Sequence, residues 1–471
     1  MEHHQNARVA ARRMRIPAVL LMVVLSACSP TVVPTPSPQV TATPSPAASP
    51  TATPIPTPEP TPVAGAGTVA RVMVDHLSVA GSPAASPPLA DVIGAGELVQ
   101  VVAGPVVVSG TRWWQVSVAA LKGWVSEGDP AQPNLLDASA AASRAWNVWA
   151  ATTNPTLSPA VAGLPERVYV PNELDNTISV IDATSFKVVA TLRTGRVPEH
   201  LTPDWDMSRL YVSNYASPFL TVVDPHTQKV VSPIPAASPY NLYFSPDGST
   251  AIVMAEDVNR IDFYNRRTWQ LIKRLPIKWA GIDHADFSAG GRYLLASTEY
   301  AGHLLKVDVV TMSIVGDLKV GGKPIDVKLS PDGSVFFVAN QGRQGVSVVD
   351  PILMQEVAFI PTGLGAHGMA ISRDCRSLYV SNRLAGTISV IEFATRKVTA
   401  TWRVGGSPDM LQVSTDGTQL WTGNRFTNMV AVIDTRTGKV IVTIQVGRRP
   451  HGLTYFPQPG RFSIGHNGVY R

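Results

Sequence analysis

Residues 376–404 read Arg-Ser-Leu-Tyr-Val-Ser-Asn-Arg-Leu-Ala-Gly-Thr-Ile-Ser-Val-Ile-Glu-Phe-Ala-Thr-Arg-Lys-Val-Thr-Ala-Thr-Trp-Arg-Val. Three short apolar runs stand out, Leu378 to Ser381, Thr387 to Ile391 and Lys397 to Val404. They are rich in β-branched and aromatic residues and are parted by turn residues, which predicts strands rather than helix. In the last run Val398, Ala400 and Trp402 alternate with polar neighbours, as on a half-buried strand.

The same unit recurs. Its first strand begins at Tyr169, Tyr211, Ile252, Leu294, Phe337, Tyr379 and Trp421, with spacings of 42, 41, 42, 43, 42 and 42 residues. A fixed period in the forties with strand-only content predicts a propeller or a β-array. Asp182, Asp224, Asn265, Asp308, Asp350, Glu392 and Asp434 hold a second register, where a short polar side chain caps a tight turn. A third register is Ser-Pro-Asp-Gly, intact at 245–248 and 330–333 and degenerate at 288–291, 372–375 and 414–417. Pro fixes φ and Gly accepts φ > 0, which is hairpin chemistry. A further strand precedes each such turn, starting near Pro198, Pro239, Ile282, Pro324, Ala366, Pro408 and Pro450. Each unit therefore has four strands. The first unit, from Arg167, lacks its own inner strand, and Pro450 to Phe456 is left over at the other end. Pairing the two closes the ring and removes the open edges. The expected fold is all-β, a seven-bladed propeller.

The repeats resemble the YVTN-type β-propeller family, through Tyr211-Val212-Ser213-Asn214, Ser347-Val348-Val349-Asp350 and Val320-Gly321-Gly322-Lys323-Pro324. The resemblance spans about 165–460. It implies the propeller but not an activity, because the family includes surface-layer proteins, lactonase-like enzymes and haem d1 proteins.

The net charge is +5, of which residues 1–27 account for +3 through Arg8, Arg12, Arg13 and Arg15 against Glu2. The remainder is near balance and has no basic run, which argues against nucleic-acid binding. Residues 1–27 read as a basic segment followed by a short apolar run, a secretory signal too short to span a bilayer. Leu25-Ser26-Ala27-Cys28 resembles a bacterial lipobox, which implies lipidation at Cys28 and an extracytoplasmic, membrane-anchored protein. Residues 28–65 are rich in Pro, Thr and Ser and are expected to be an extended tether, reaching up to about 100 Å. Cys375 is the second of two cysteines, so lipidation of Cys28 leaves no partner for a disulfide.

Residues 66–130 resemble a bacterial SH3-like domain, through Leu77-Ser78-Val79-Ala80-Gly81-Ser82-Pro83, Arg112-Trp113-Trp114-Gln115-Val116 and Gly123-Trp124-Val125. Two departures are Ala80, where the family has Arg, and the insert at 82–88. The resemblance implies peptidoglycan or peptide binding, or a purely structural barrel. Adjacent strand residues face opposite sides, so one of Trp113 and Trp114 points outward as a ligand platform. Residues 131–164 form a linker, with a short helix expected within 137–151. Residues 461–471 are a tail that echoes another outer strand.

Propeller sites gather at the channel mouth, where loops enter the inner strands. Those positions hold Glu199, His200, Tyr240, Asn241, Asp283, His284, Asp326, His367, Asp409 and His451. Four of the ten histidines fall there. Imidazole with carboxylate suits proton transfer or a divalent metal, in which case the ligands are among His200, His284, His367 and His451. Arg383 and Arg425 are candidates for anion contacts. Cys-x-x-Cys-His, Gly-x-Ser-x-Gly and P-loop motifs are absent from the sequence, which leaves attached haem, nucleophilic catalysis and phosphoryl transfer without motif support. No cofactor is called for by the sequence itself. The expectation is a monomeric, lipid-anchored binding or scaffold protein that engages an envelope protein, glycan or small ligand at the mouth. The alternative is a propeller enzyme or cofactor protein, lactonase-like or a haem d1-type binder, using the His/Asp funnel.

Overall fold

The repeat at 366–403 becomes four antiparallel strands, Ala366–Ile371, Ser377–Asn382, Thr387–Glu392 and Lys397–Arg403, paired in that order. Burial falls outward along the sheet. The first three strands are almost wholly buried, and the last alternates exposed and half-buried residues with Val398, Ala400 and Trp402 facing inward. That gradient is what a radial sheet produces when its inner edge faces a shared axis. In this computed structural model, which describes residues 62–87 and 91–471, the same sheet recurs around a ring. Its inner strands are Pro198–Pro203, Pro239–Phe244, Ile282–Phe287, Pro324–Leu329, Ala366–Ile371 and Pro408–Val413. Each touches the next. The ring closes as the sequence requires. Thr454–Phe456 lies against Arg167–Asn172, with Tyr169 opposite Thr454 and Arg167 opposite Phe456. The signal segment, Cys28 and most of the tether lie outside the described residues. Among those described, no helix is long and apolar enough to cross a membrane.

The turn chemistry follows the registers. Asp182 accepts from the Thr184 and Ser185 amides, and Asp434 from those of Arg436 and Thr437. At the Ser-Pro-Asp-Gly turns Ser330 donates to Asp332 at 2.6 Å, and Gly333 has φ of 71°. Cys375 occupies the same left-handed position at φ 57°.

Upstream, a five-stranded sheet runs Leu121–Ser126, Thr111–Val118, Leu98–Val108, Val69–Val72, Leu135–Asp137. It continues past residue 130, because the apolar pair Leu135 and Leu136 returns to Val69–Val72. Trp114 is buried in its core, and its indole donates to Glu127 at 3.0 Å. Trp113 is the outward member of the pair. The helix expected within 137–151 is only one turn, Ala141–Arg144, followed by a 3-10 turn at Ala150–Thr152. Tertiary contacts win over propensity here. Trp149 turns into the propeller, its indole donating to the Leu329 carbonyl, and the Val148 amide donates to that of Pro331.

This small sheet docks on the turn side of the ring. The buried Glu97 carboxylate accepts from the Ser288 hydroxyl at 2.7 Å and the Gly290 amide at 3.1 Å. Arg71 donates to the Asp332 carbonyl at 2.7 Å. Removing Glu97 leaves those donors buried and unpaired, at about 1–3 kcal/mol for such groups. Glu97→Ala is therefore expected to loosen the docking and make the 131–164 segment more protease-sensitive. Unchanged cleavage kinetics would refute the idea that Glu97 holds the two parts together.

Residues 461–471 are neither a loose tail nor an outer strand. They form a hairpin, Ser463–Gly465 with Val469–Tyr470, inserted down the channel axis. Gly465 pairs with Tyr243 on an inner strand. Small residues and left-handed turns make this fit, since a Cβ on Gly465 would lie 2.5 Å from the Leu242 carbonyl oxygen. Arg471 ends the hairpin, donating to Asp286 and to the Phe287 and Ser288 carbonyls.

Candidate functional site

Each inner strand carries the same irregularity two residues from its start. Pairing breaks between Pro198 and Leu201, Pro239 and Asn241, Ile282 and Ala285, Pro324 and Val327, Ala366 and Met369, and Pro408 and Leu411. The skipped residues include Glu199, His200, Tyr240, Asp283, His284, Asp326, His367 and Asp409. A bulge re-aims side chains and frees backbone amides from the ladder. The freed amides find partners on the neighbouring strand: His284 donates to Ser297, Gly368 to Ser381 and Asp409 to Thr422, at 2.8–3.1 Å. The bulges turn the candidate side chains toward the axis, and the whole set except the half-buried Tyr240 is buried.

The set divides into a basic and an acidic pole. On the basic side Asp409 is fully buried, 2.5 Å from the Arg383 guanidinium, 3.5 Å from that of Arg425 and 3.1 Å from the His367 Nδ1. Burial alone would raise its pKa, but Arg383, His451, His367 and Arg425 outweigh this and hold it well below the usual carboxylate range. Glu173 pairs with Arg425 and with Arg449, and His451 Nδ1 lies 2.6 Å from Glu199. Burial and the neighbouring Glu199 push Glu173 up to about 7.

On the acidic side Asp283, Glu256 and Glu299 crowd together beside Tyr240 and Tyr300. Burial, then Asp283 and Glu299, raise Glu256 to about 9, and burial with Asp283 raises Glu299 to about 7. These carboxyls bind protons more tightly folded than unfolded. Their stabilising contribution is complete below about pH 4.3 and is lost as pH rises through about 7 for Glu299 and about 9 for Glu256. Melting temperature is therefore expected to fall between pH 6 and pH 9, and less steeply in Glu256→Gln. An identical slope in the variant would contradict this assignment.

At the centre His200 and His284 stand with ring centroids 5.0 Å apart, and His466 at the hairpin tip lies 5.2 and 4.5 Å from them. Burial drives all three pKa values down, that of His284 to about 4, so the imidazoles are neutral. Asn241 contacts His466. Asp326 sits deeper, paired to Lys328 at 2.8 Å and accepting from the Met369 amide. Thus His200, Tyr240, Asn241, Asp283, His284 and His451 converge on the tip. His367, Asp409 and Glu199 gather with the arginines.

Sequence reasoning missed Glu173, Glu256, Glu299, His466 and Asn467. The first three had a signal. They follow the second strand of their repeats, the register that holds Arg383 and Arg425. His466 and Asn467 lie beyond the repeats and had none.

Ring closure, radial sheets and a polar cluster where the inner strands begin define a β-propeller with a built channel mouth. The chain belongs to the YNCE-like beta-propeller family, whose model matches residues 132–459. It is similar to the dihydro-heme d1 dehydrogenase of Pseudomonas aeruginosa, 27% identical over 197 residues, 37% of this chain and 38% of that protein. The chain thus spans well under half the length of this curated relative. Similar solved structures include Kuenenia stuttgartiensis hydrazine synthase, with TM-score 0.51, 20% identity, 57% of this chain and 92% of that one. Another is a functionally unknown protein of Desulfotomaculum acetoxidans, with TM-score 0.56, 16% identity, 62% of this chain and 99% of that one. Dihydro-heme d1 dehydrogenase also appears among the structures, at TM-score 0.50, 18% identity, 63% of this chain and 76% of that one. At these identities the structural likeness speaks for the fold alone.

Proposed function

We propose that the protein is a monomeric, extracytoplasmic, lipid-anchored, seven-bladed propeller that binds a small polar ligand at its channel mouth. One observation carries this reading. The bulged inner strands hold buried polar atoms without hydrogen-bond partners, among them His200 Nε2 and both ring nitrogens of His284. Buried polar groups are normally satisfied, and each left unpaired costs about 1–3 kcal/mol, so a ring of them marks a place where something else completes the bonding. Anchoring at Cys28 is supported by the lipobox resemblance. The 66–130 region is read as an SH3-like module completed by Leu135–Asp137, with Trp113 as its contact to peptidoglycan. Cosedimentation of the full chain with peptidoglycan, lost in Trp113→Ala, tests that part.

The mouth is tested by thermal shift with muropeptides, oligosaccharides and dicarboxylates. At least one class should stabilise the wild-type chain and not the Arg383→Gln/Glu299→Gln double variant. Shifts that are absent, or equal in both proteins, would remove the reading.

The likeness to a dihydro-heme d1 dehydrogenase favours a second reading, a cofactor-binding propeller. The packed imidazoles, with centroids 4.5–5.2 Å apart, leave no slot for a tetrapyrrole between them. Such a group would lie across the mouth, its carboxylates toward Arg383 and Arg425. An absorbance spectrum after incubation with the tetrapyrrole separates the two readings.

A further inference from the structure

We propose that His200, His284 and His466 form a binding site for a divalent transition-metal ion of the zinc class. The proposal rests on the mouth being a ligand site and names the ion found at its floor. One nitrogen from each ring lies within 4.8 Å of the other two. The rings come from three separate places: His200 from Pro198–Pro203, His284 from Ile282–Phe287 with the inner strand Pro239–Phe244 between them, and His466 from the inserted hairpin.

The second contacts are what single out this trio. Each ring has its Nδ1 against a side-chain amide or carboxylate. His200 Nδ1 is 3.0 Å from Asn467 Oδ1, His466 Nδ1 is 3.2 Å from Asn241 Oδ1 and 2.9 Å from its Nδ2, and His284 Nδ1 is 2.7 Å from Asp283 Oδ1 without hydrogen-bonding geometry. Partners of this kind orient metal-binding imidazoles and fix which nitrogen is free. His200 Nε2 and His284 Nε2 are buried without a hydrogen-bond partner, while His466 Nε2 lies 3.5 Å from Asp326 Oδ1 and would exchange that contact for the metal. Imidazole suits zinc, copper and nickel rather than magnesium or calcium. Tetrahedral Zn–N bonds of about 2.0–2.1 Å set nitrogens about 3.4 Å apart, so each ring needs to move inward by no more than about 1 Å.

Asp326, paired to Lys328 at 2.8 Å, lies 3.5 Å from His466 Nε2. Three protein ligands leave a fourth position, the arrangement of sites that take an exchangeable ligand. Tyr240 and His451 flank it, at 5.1 and 4.7 Å from the His200 ring.

The test uses the full chain stripped with chelator and titrated with Co²⁺ and Zn²⁺, with Mg²⁺ as a control. The expected result is one ion per chain, visible-region bands of tetrahedral or five-coordinate Co²⁺, and a rise in melting temperature with Zn²⁺. His466→Gln should weaken Zn²⁺ at least 100-fold, while His226→Gln, exposed on an outer loop, and His367→Gln should not. Should His466→Gln fold poorly, Asn467→Ala, which alters only the orientation of His200, should weaken binding about 10–100-fold. Absent binding, or binding that is lost in His367→Gln and kept in His466→Gln, overturns the proposal. The thermal-shift panel repeated on stripped protein keeps the two readings apart. Ligand shifts without any metal uptake would remove the ion and leave the mouth as a ligand site.

Discussion

Asp409→Ala is expected to destabilise the propeller by about 3–5 kcal/mol, the range found when one partner of a buried ion pair is removed. The carboxylate sits between Arg383 and Arg425, with His367 and His451 beside it. Without Asp409, Arg383 faces like charge and buried imidazoles. Asp409→Asn keeps the shape and two acceptor lone pairs but not the charge, so its cost should be smaller. Arg383→Leu in the Asp409→Ala background should recover part of the loss, since the two residues share one interaction and their effects are not additive. The pH dependence carries a second signature. Asp409 is held well below its ordinary range, chiefly by Arg383 once burial is overcome. Its stabilisation is therefore present above the unfolded carboxylate value near pH 4 and decays only as pH falls well below it. The gap between wild type and Asp409→Ala in urea melts should be constant from pH 5 to 8. A cost under about 1 kcal/mol, or a gap that closes near neutrality, would sink the claim that this carboxylate organises the basic pole.

The repeat made most of this visible in advance. Position within the 42-residue unit marks the inner-strand starts, and the bulge there follows from ring geometry, so Glu199, His200, Asp283, His284, His367 and Asp409 were readable as mouth residues without coordinates. Arg383 and Arg425 were legible for the same reason, and Glu173, Glu256 and Glu299 were equally so, since they share that register. The pairing of charges across the mouth was not. Asp409 meets Arg425 within its own sheet, where Pro408 pairs with Asn424, but it meets Arg383 and His451 only because different sheets converge on one axis, and no local pattern encodes that. Trp113 and Trp114 show the limit on a smaller scale. Alternation requires one in and one out, but choosing Trp114 as the buried one needs Glu127 beneath its indole. His466 is the clearest gap. Nothing periodic surrounds it, and its role comes from where the hairpin ends up.

That hairpin gives the second large effect. Deleting residues 461–471 should cost at least as much as Arg471→Ala, itself expected at about 3–5 kcal/mol because Asp286 is left buried without its cation. The deletion also removes Ile464 and Tyr470, each almost wholly buried, at about 1.5–3 kcal/mol apiece. Ordering eleven residues opposes this, at roughly 1 kcal/mol or more each for the backbone. The balance still favours the inserted state, because its removal strands polar groups on the channel wall. Asn241 loses His466, His200 loses Asn467, and the Leu242 carbonyl loses the His466 amide. The inner strand Pro239–Phe244 also loses its axial partner, since Tyr243 pairs with Gly465. Hydrogen exchange should thus quicken along 239–244 while the outer strands, which never touch the hairpin, keep their protection. The melting temperature should drop in parallel. If exchange at 239–244 is unchanged and stability falls by less than about 1 kcal/mol, the hairpin is an ornament on a self-sufficient ring, and His466 has no fixed place from which to complete the mouth.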